Sequence, residues 1–153
     1  MKKFKFTLQT VHNVREMREE KEKLVLSELQ TEAERIAHQI EHIEKLRFES
    51  IENYARRLSA GEQISAMEME LNSNHFASLN RLQQETEKLL EQKKGACSAQ
   101  RAKLAAAARE VQITERLREH QAKRHRLQLE QYEQTAIDEM VSANFARKIA
   151  QIK

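Results

Sequence analysis

The stretch "RRLSAGEQISAMEME", residues 56 to 70, decides the fold. It is the only part of the 153-residue chain with turn chemistry, because the chain has no proline and only two glycines, Gly61 and Gly95. Gly61 suits the position just past a helix end, where φ is often positive. Ser65 and Glu68 form S-x-x-E, the capping box that opens a new helix. The spacing therefore predicts a first helix from about Phe6 to Ser59, a turn over about 60–65, and a second helix from about residue 66 to about Ala146. Two helices joined by so short a turn must lie antiparallel. The fold class expected is all-α: a long antiparallel α-helical coiled-coil hairpin, forming a single domain over 1–153.

Composition agrees. Charged residues are 33 %, aromatics 5 %, and tryptophan is absent. Such a bias, with no Pro and only two Gly, signals long helices rather than a sheet or disorder. A first helix of that length would span roughly 80 Å at 1.5 Å per residue, too long for a compact bundle. The net charge of +3 does not force a nucleic-acid reading. The basic start "MKKFKFTLQTVHNV" lacks a signal-peptide core, and no apolar run reaches the length of a membrane span, so a cytosolic protein is the plain expectation. Cys97 is the only cysteine, which excludes an intramolecular disulfide.

Working outward from the turn, Leu29, Ala33, Ile36, Ile40 and Ile43 follow a 4-3-4-3 rhythm, an a/d seam. The apolar register slips near Leu46 and Arg47 and resumes at Ile51, Tyr54 and Leu58, as a four-residue stutter would produce. In the second helix Leu104, Ala107 and Val111 make one run, and Leu129, Tyr132, Ala136, Met140 and Ala143 another. If the turn centres near residue 62, residue 8 faces about residue 116, and residues beyond about 120 have no partner in the first helix. Alternatively the second helix breaks between 66 and 95, where Asn72, Ser73, Asn74, His75 and Gly95 are poor helix formers, and its first part folds back.

Little in the chain suggests catalysis. "HQIEH", His38 to His42, has the H-x-x-E-H spacing of some zinc proteases. A catalytic zinc also needs a third ligand and a cleft, and a two-helix hairpin offers no cleft. Cys97, between Ala96 and Ser98, reads as a small packing residue. "KLAAAARE", residues 103 to 110, combines helix propensity with small side chains that admit close packing. The glycine-rich phosphate loops and the G-x-S-x-G elbow are absent. The expectation is no enzymatic activity, no cofactor and no metal.

Charge is the remaining signal. "REMREEKEK", residues 15 to 23, has eight charged residues in nine. Between residues 101 and 126 there are eight Lys or Arg against three Glu. On a hairpin both stretches fall near the end that holds the chain termini. A basic helical face there could bind nucleic acid, an acidic membrane or, the favoured partner, an acidic protein, or else is a solvated face whose long side chains cover the seam.

The chain also resembles a known family. "FKFTLQTVHNVREMREEKEKLVLSELQ" looks like the start of the FliJ family of flagellar type III export proteins, with its F-x-F-x-L-Q-x-V opening and R-x-x-x-E-E segment. "GEQISAMEMELNSNHFASLNRLQQE" is similar to that family's Gly, then I-S-A-x-E-L, then Phe and Leu pattern, and "EQTAIDEMVSANFAR" resembles its E-Q-x-x-[LI]-D-E close. One departure is His12, where the family usually has Leu. The resemblance implies a soluble component of the flagellar export apparatus, lying at the cytoplasmic face of the inner membrane through its partners. It implies a hairpin similar to the gamma-subunit stalk of rotary ATPases. The implied partners are the hexameric export ATPase FliI, the export-gate protein FlhA and export chaperones. The resemblance supplies the partners; charge and position at the terminal end name Arg15, Arg18, Arg116, Arg118, Lys123, Arg124 and Arg126 as the ATPase-facing candidates, and Phe48 and Phe76, large and off the apolar seam, are the gate-facing candidates. The equivalent stalk of a virulence-type secretion system and a structural coiled-coil scaffold are the alternatives.

Overall fold

The computed structural model describes residues 3–152. It contains two helices, α1 over Gln9–Ser59 and α2 over Ala66–Ile152, with no strand among the described residues. The antiparallel hairpin expected from the turn is what forms. α1 begins three residues later than expected. Phe6, Thr7 and Leu8 make a turn instead, with the Gln9 amide donating to the Phe6 carbonyl at 3.3 Å. α2 continues past Ala146 and runs unbroken through Asn72–His75 and Gly95, so no segment folds back.

The turn carries the chemistry of its sequence. Gly61 has φ +74°. Its amide donates to the Leu58 carbonyl at 3.1 Å, and the Glu62 amide donates to the Arg57 carbonyl at 3.1 Å, the paired bonds of a Schellman motif. At the start of α2 the Glu68 amide donates to Ser65 Oγ and the Ser65 amide donates to the Glu68 carboxylate, both at 3.2 Å. Arg57 then ties the two helix ends together, reaching Glu62 at 2.7 Å and Glu68 at 3.4 Å. A Cβ on Gly61 would meet nothing within 4 Å, so Gly61→Ala carries only the backbone cost of the left-handed conformation. That cost is about 1 kcal/mol. It is expected as a lower urea midpoint at constant slope, and an unchanged midpoint would count against the assignment.

The Ser65 amide, and after it the Arg57 guanidinium, hold the Glu68 carboxyl below its ordinary value. A carboxylate depressed in the folded state stabilises above the unfolded glutamate value of about 4.3. That contribution is lost as the pH falls through the lower folded value. Acid should therefore loosen the turn in wild type, and the loss should be smaller in Glu68→Gln, which keeps an acceptor for the Ser65 amide but cannot ionise. The Ser65 amide resonance followed by NMR from pH 7 downward checks this.

Contacts group the chain into two units, Glu20–Ala105 and the combination of Met1–Glu19 with Ala106–Lys153. In the unit Glu20–Ala105 the central inward row of α1 is Glu22, Leu26, Leu29, Ala33, Ile36, Ile40, Ile43, Arg47, Ser50, Tyr54 and Arg57, with Val25, Glu32 and Ala37 half-buried at its flanks. The steps alternate 4 and 3 without interruption, the coiled-coil repeat. The stutter expected after Ile43 does not occur. Leu46, Ile51 and Leu58 are exposed, and Arg47 occupies the seam, donating to Asn80 at 3.1 Å and Gln83 at 3.0 Å. A long arginine stem can fill a seam position while its head finds acceptors at the rim.

From α2 this unit contributes Phe76, Leu79, Gln83, Thr86, Leu90, Lys93, Cys97, Gln100 and Leu104 at the same spacing. Its deepest apolar side chains are Ile36 and Ile43 of α1 and Leu79 and Cys97 of α2. Cross-helix polar pairs set the alignment. Lys93 reaches Glu32 at 2.5 Å, Gln83 donates to Glu44 at 3.4 Å, and the Gln100 amide donates to the Glu22 carboxylate and backbone carbonyl. Lys93 holds the Glu32 carboxyl below its usual range.

Candidate partner-binding surfaces

The unit formed by Met1–Glu19 and Ala106–Lys153 carries all of the charged candidates. Its seam is polar at its centre. His12, 3 % exposed, places Nδ1 2.8 Å from Thr114 Oγ1, itself 2 % exposed. The imidazole Nε2 lies 3.2 Å from Glu115 and 3.4 Å from Glu16. One turn on, Arg15 donates to the Glu110 carbonyl at 2.9 Å. On the other side Phe6 is buried ahead of α1, and the Phe4 ring tilts against the His125 imidazole at 5.7 Å. The non-helical segment before α1 thus packs along α2, which leaves Gln121, Ala122, His125 and Leu129 half-buried. Those positions were expected to have no partner in the first helix, and what covers them is the segment ahead of it.

From Gln131 to Ala150 every residue of α2 is exposed. Tyr132, Ile137, Met140, Val141, Phe145 and Ile149 are all at least half exposed. The rhythm through Leu129, Tyr132, Ala136, Met140 and Ala143 therefore faces no other part of the described chain beyond Leu129. Ile137, Val141, Phe145 and Ile149 recur every four residues, which places them along one side of the helix.

The basic candidates divide by what they touch. Arg15 is committed to Glu110, Arg118 pairs with Glu115 at 3.0 Å, and Arg126 pairs with Glu130 at 3.2 Å. Arg18, Arg116, Lys123 and Arg124 make no ion pair among the described residues and are not buried. The "REMREEKEK" stretch is less idle than its charge suggests. Arg15, Glu19 and Glu22 take inward positions, and the other six face outward.

In the unit Glu20–Ala105 the two phenylalanine candidates separate. Phe48 is 66 % exposed, beside Glu44, Arg47, Ile51 and Gln83 in a shallow groove. Phe76 is half-buried in the seam next to His75. Cys97 is buried, as expected of a small packing residue. His38 is exposed and bonds Glu41 at 3.2 Å, and His42 is exposed one turn on. Among the described residues no three His, Cys, Asp or Glu side chains gather in a metal-ligating group. No helix among them is long and apolar enough to cross a membrane.

Sequence reasoning missed His12 with Thr114, and Arg47 with Gln83. A signal for the first was present: with the turn centred near residue 62, the position facing His12 falls close to Thr114, and both are polar. The same mirror rule does not reach Gln83 from Arg47.

A family model described as flagellar FliJ protein matches residues 4–150. No curated protein and no solved structure matches the chain.

Proposed function

We propose a function from one premise: this chain belongs to the FliJ family of flagellar proteins. It is a component associated with flagellar protein export. The finer reading is that it acts as a stalk: the end of the hairpin that holds the termini binds the hexameric export ATPase and promotes ring function, the middle contacts the export gate, and the protein escorts export chaperones. It works in the cytoplasm at the inner face of the membrane and catalyses no reaction itself.

The observation that carries this reading is α2 from Gln131 to Ala150, a helix end exposed throughout with large apolar side chains along it. Soluble proteins rarely leave such a surface uncovered unless a partner takes it. Close by in the sequence stand Arg116, Lys123 and Arg124, cations without an ion pair among the described residues. Exposed charge of this kind gives attraction that is screened by salt and that steers encounter more than it fixes affinity.

The test is a titration of the full chain against the purified export ATPase. Reversing Arg116, Arg118, Arg124 and Arg126 to Glu is expected to weaken binding at least tenfold with circular dichroism unchanged. Wild-type binding should also fall as ionic strength rises past about 0.15 M, where the Debye length is about 8 Å. Phe48→Ala should leave ATPase binding intact, since Phe48 lies in the other unit. Equal binding by the charge-reversed protein would move the contact elsewhere.

A further inference from the structure

One groove in the unit that holds both termini has walls of a single charge. The non-helical segment before α1 supplies Lys3 and Lys5, and α2 supplies Arg124 and the side-chain amides of Gln121 and Gln128. Phe4 and His125, ring against ring, also line it. The cavity measures about 580 Å³, and no Asp or Glu lines it. Lys3, Lys5 and Arg124 make no ion pair among the described residues.

We propose that this groove receives an acidic segment of a partner protein, held by Lys3, Lys5 and Arg124. Three cations brought to one concavity without a carboxylate repel one another, and an anion relieves that repulsion. Arg124 can grip a carboxylate with two parallel N–H donors, while the lysines act as point charges. The Gln121 and Gln128 amides add neutral donors at the rim of the same groove. A membrane surface fits less well. It would need a continuous apolar face beside the cations, and Phe4 is the one large apolar side chain in this groove. Nucleic acid fits less well too, because the Phe4 ring already tilts against His125 and so few cations neutralise few phosphates. The proposal deepens the stalk reading and rests on it only for where the acidic partner is found.

The experiment uses the full chain and an octapeptide of Asp and Glu, with the His125 imidazole protons as an NMR reporter assigned through His125→Gln. A saturable shift is expected, weakened at least tenfold in Lys3→Glu/Lys5→Glu with circular dichroism unchanged. Inorganic phosphate at equal ionic strength and a Lys octapeptide should give no saturable shift. The proposal is overturned if the acidic peptide gives none, if phosphate matches it, if the double variant binds equally, or if phosphatidylserine vesicles compete better than the peptide. The same variant is then titrated against the export ATPase. If wild type and variant bind the ATPase equally, the groove assignment fails while the stalk reading stands. If wild type binds the acidic peptide but not the ATPase, the stalk reading fails and the groove stands.

Discussion

Ile36→Ala is expected to destabilise the unit Glu20–Ala105 by about 2–3 kcal/mol, toward the low end for a buried isoleucine. Ile36 is 3 % exposed, and Ile43, one heptad on, is 6 % exposed. The pairs Glu32–Lys93 and Glu44–Gln83 bracket Ile36 and set it level with the α2 turn around Leu90, itself half-buried. No side chain in the described chain is completely buried, so few residues carry the apolar burial of a seam this thin. Truncating one of them removes a large share. The cost stays near the lower bound because two helices can close on a small void more easily than a globular core can. Ile51→Ala is the decisive comparison. Ile51 is 50 % exposed, so its truncation should fall within about 0.5 kcal/mol. A seam that stuttered after Ile43 would turn Ile51 inward, and the two substitutions would then cost alike. Urea unfolding followed at 222 nm, compared at constant slope, separates the two registers.

That contrast marks where the fold was legible in the sequence. The turn could be read nearly atom by atom, because Gly61, Ser65 and Glu68 act through local hydrogen bonds whose partners lie within a few residues. The apolar run Leu29 to Ile43 was equally plain. Beyond Ile43 the seam changes chemistry rather than register. Arg47 and Ser50 hold positions where apolar residues were sought, and Leu46 and Ile51 lie on the outside. An apolar count follows hydrophobic side chains, so it drifted outward with them and produced a false stutter. The continuity of α2 through Asn72–His75 has the same lesson. Weak helix formers cost only tenths of a kcal/mol each, and packing of Asn72 and Phe76 toward α1 outweighs that.

The candidate surfaces were legible as charge and illegible as geometry. Sequence alone placed Arg15 and Arg116 in one basic set. The structure commits Arg15 to the Glu110 carbonyl across the seam and leaves Arg116 facing out. Phe48 and Phe76 were read together as bulky and off the seam, and only Phe48 is. The groove of Lys3, Lys5 and Arg124 joins residues more than a hundred positions apart. No spacing rule predicts it, because it depends on the segment before α1 leaving the helix and lying along α2.

His12→Ala should produce the largest loss in the other unit, about 2 kcal/mol, and His12→Leu should recover most of it. The physics lies in what each change leaves behind. Alanine opens a void where a 3 % exposed ring stood and removes its bond to Thr114. It orphans no buried group outright: Thr114 Oγ1 still lies 2.9 Å from the Val111 carbonyl, and Glu16 and Glu115 are exposed enough to turn to water. The loss is therefore mostly packing, which leucine restores at similar volume without needing a polar partner. Replacing a buried polar pair with apolar side chains is often neutral or stabilising. His12→Leu combined with Thr114→Val should accordingly match or exceed wild type. The double-mutant cycle should return a coupling of about 0.5–1.5 kcal/mol for the His12–Thr114 bond. Amide exchange at residues 10–19 and 106–118 gives a readout local to this unit. If His12→Leu proved as damaging as His12→Ala, volume would not be what His12 supplies. Its polar contacts to Thr114, Glu16 and Glu115 would then be what hold the N-terminal turns of α1 against α2.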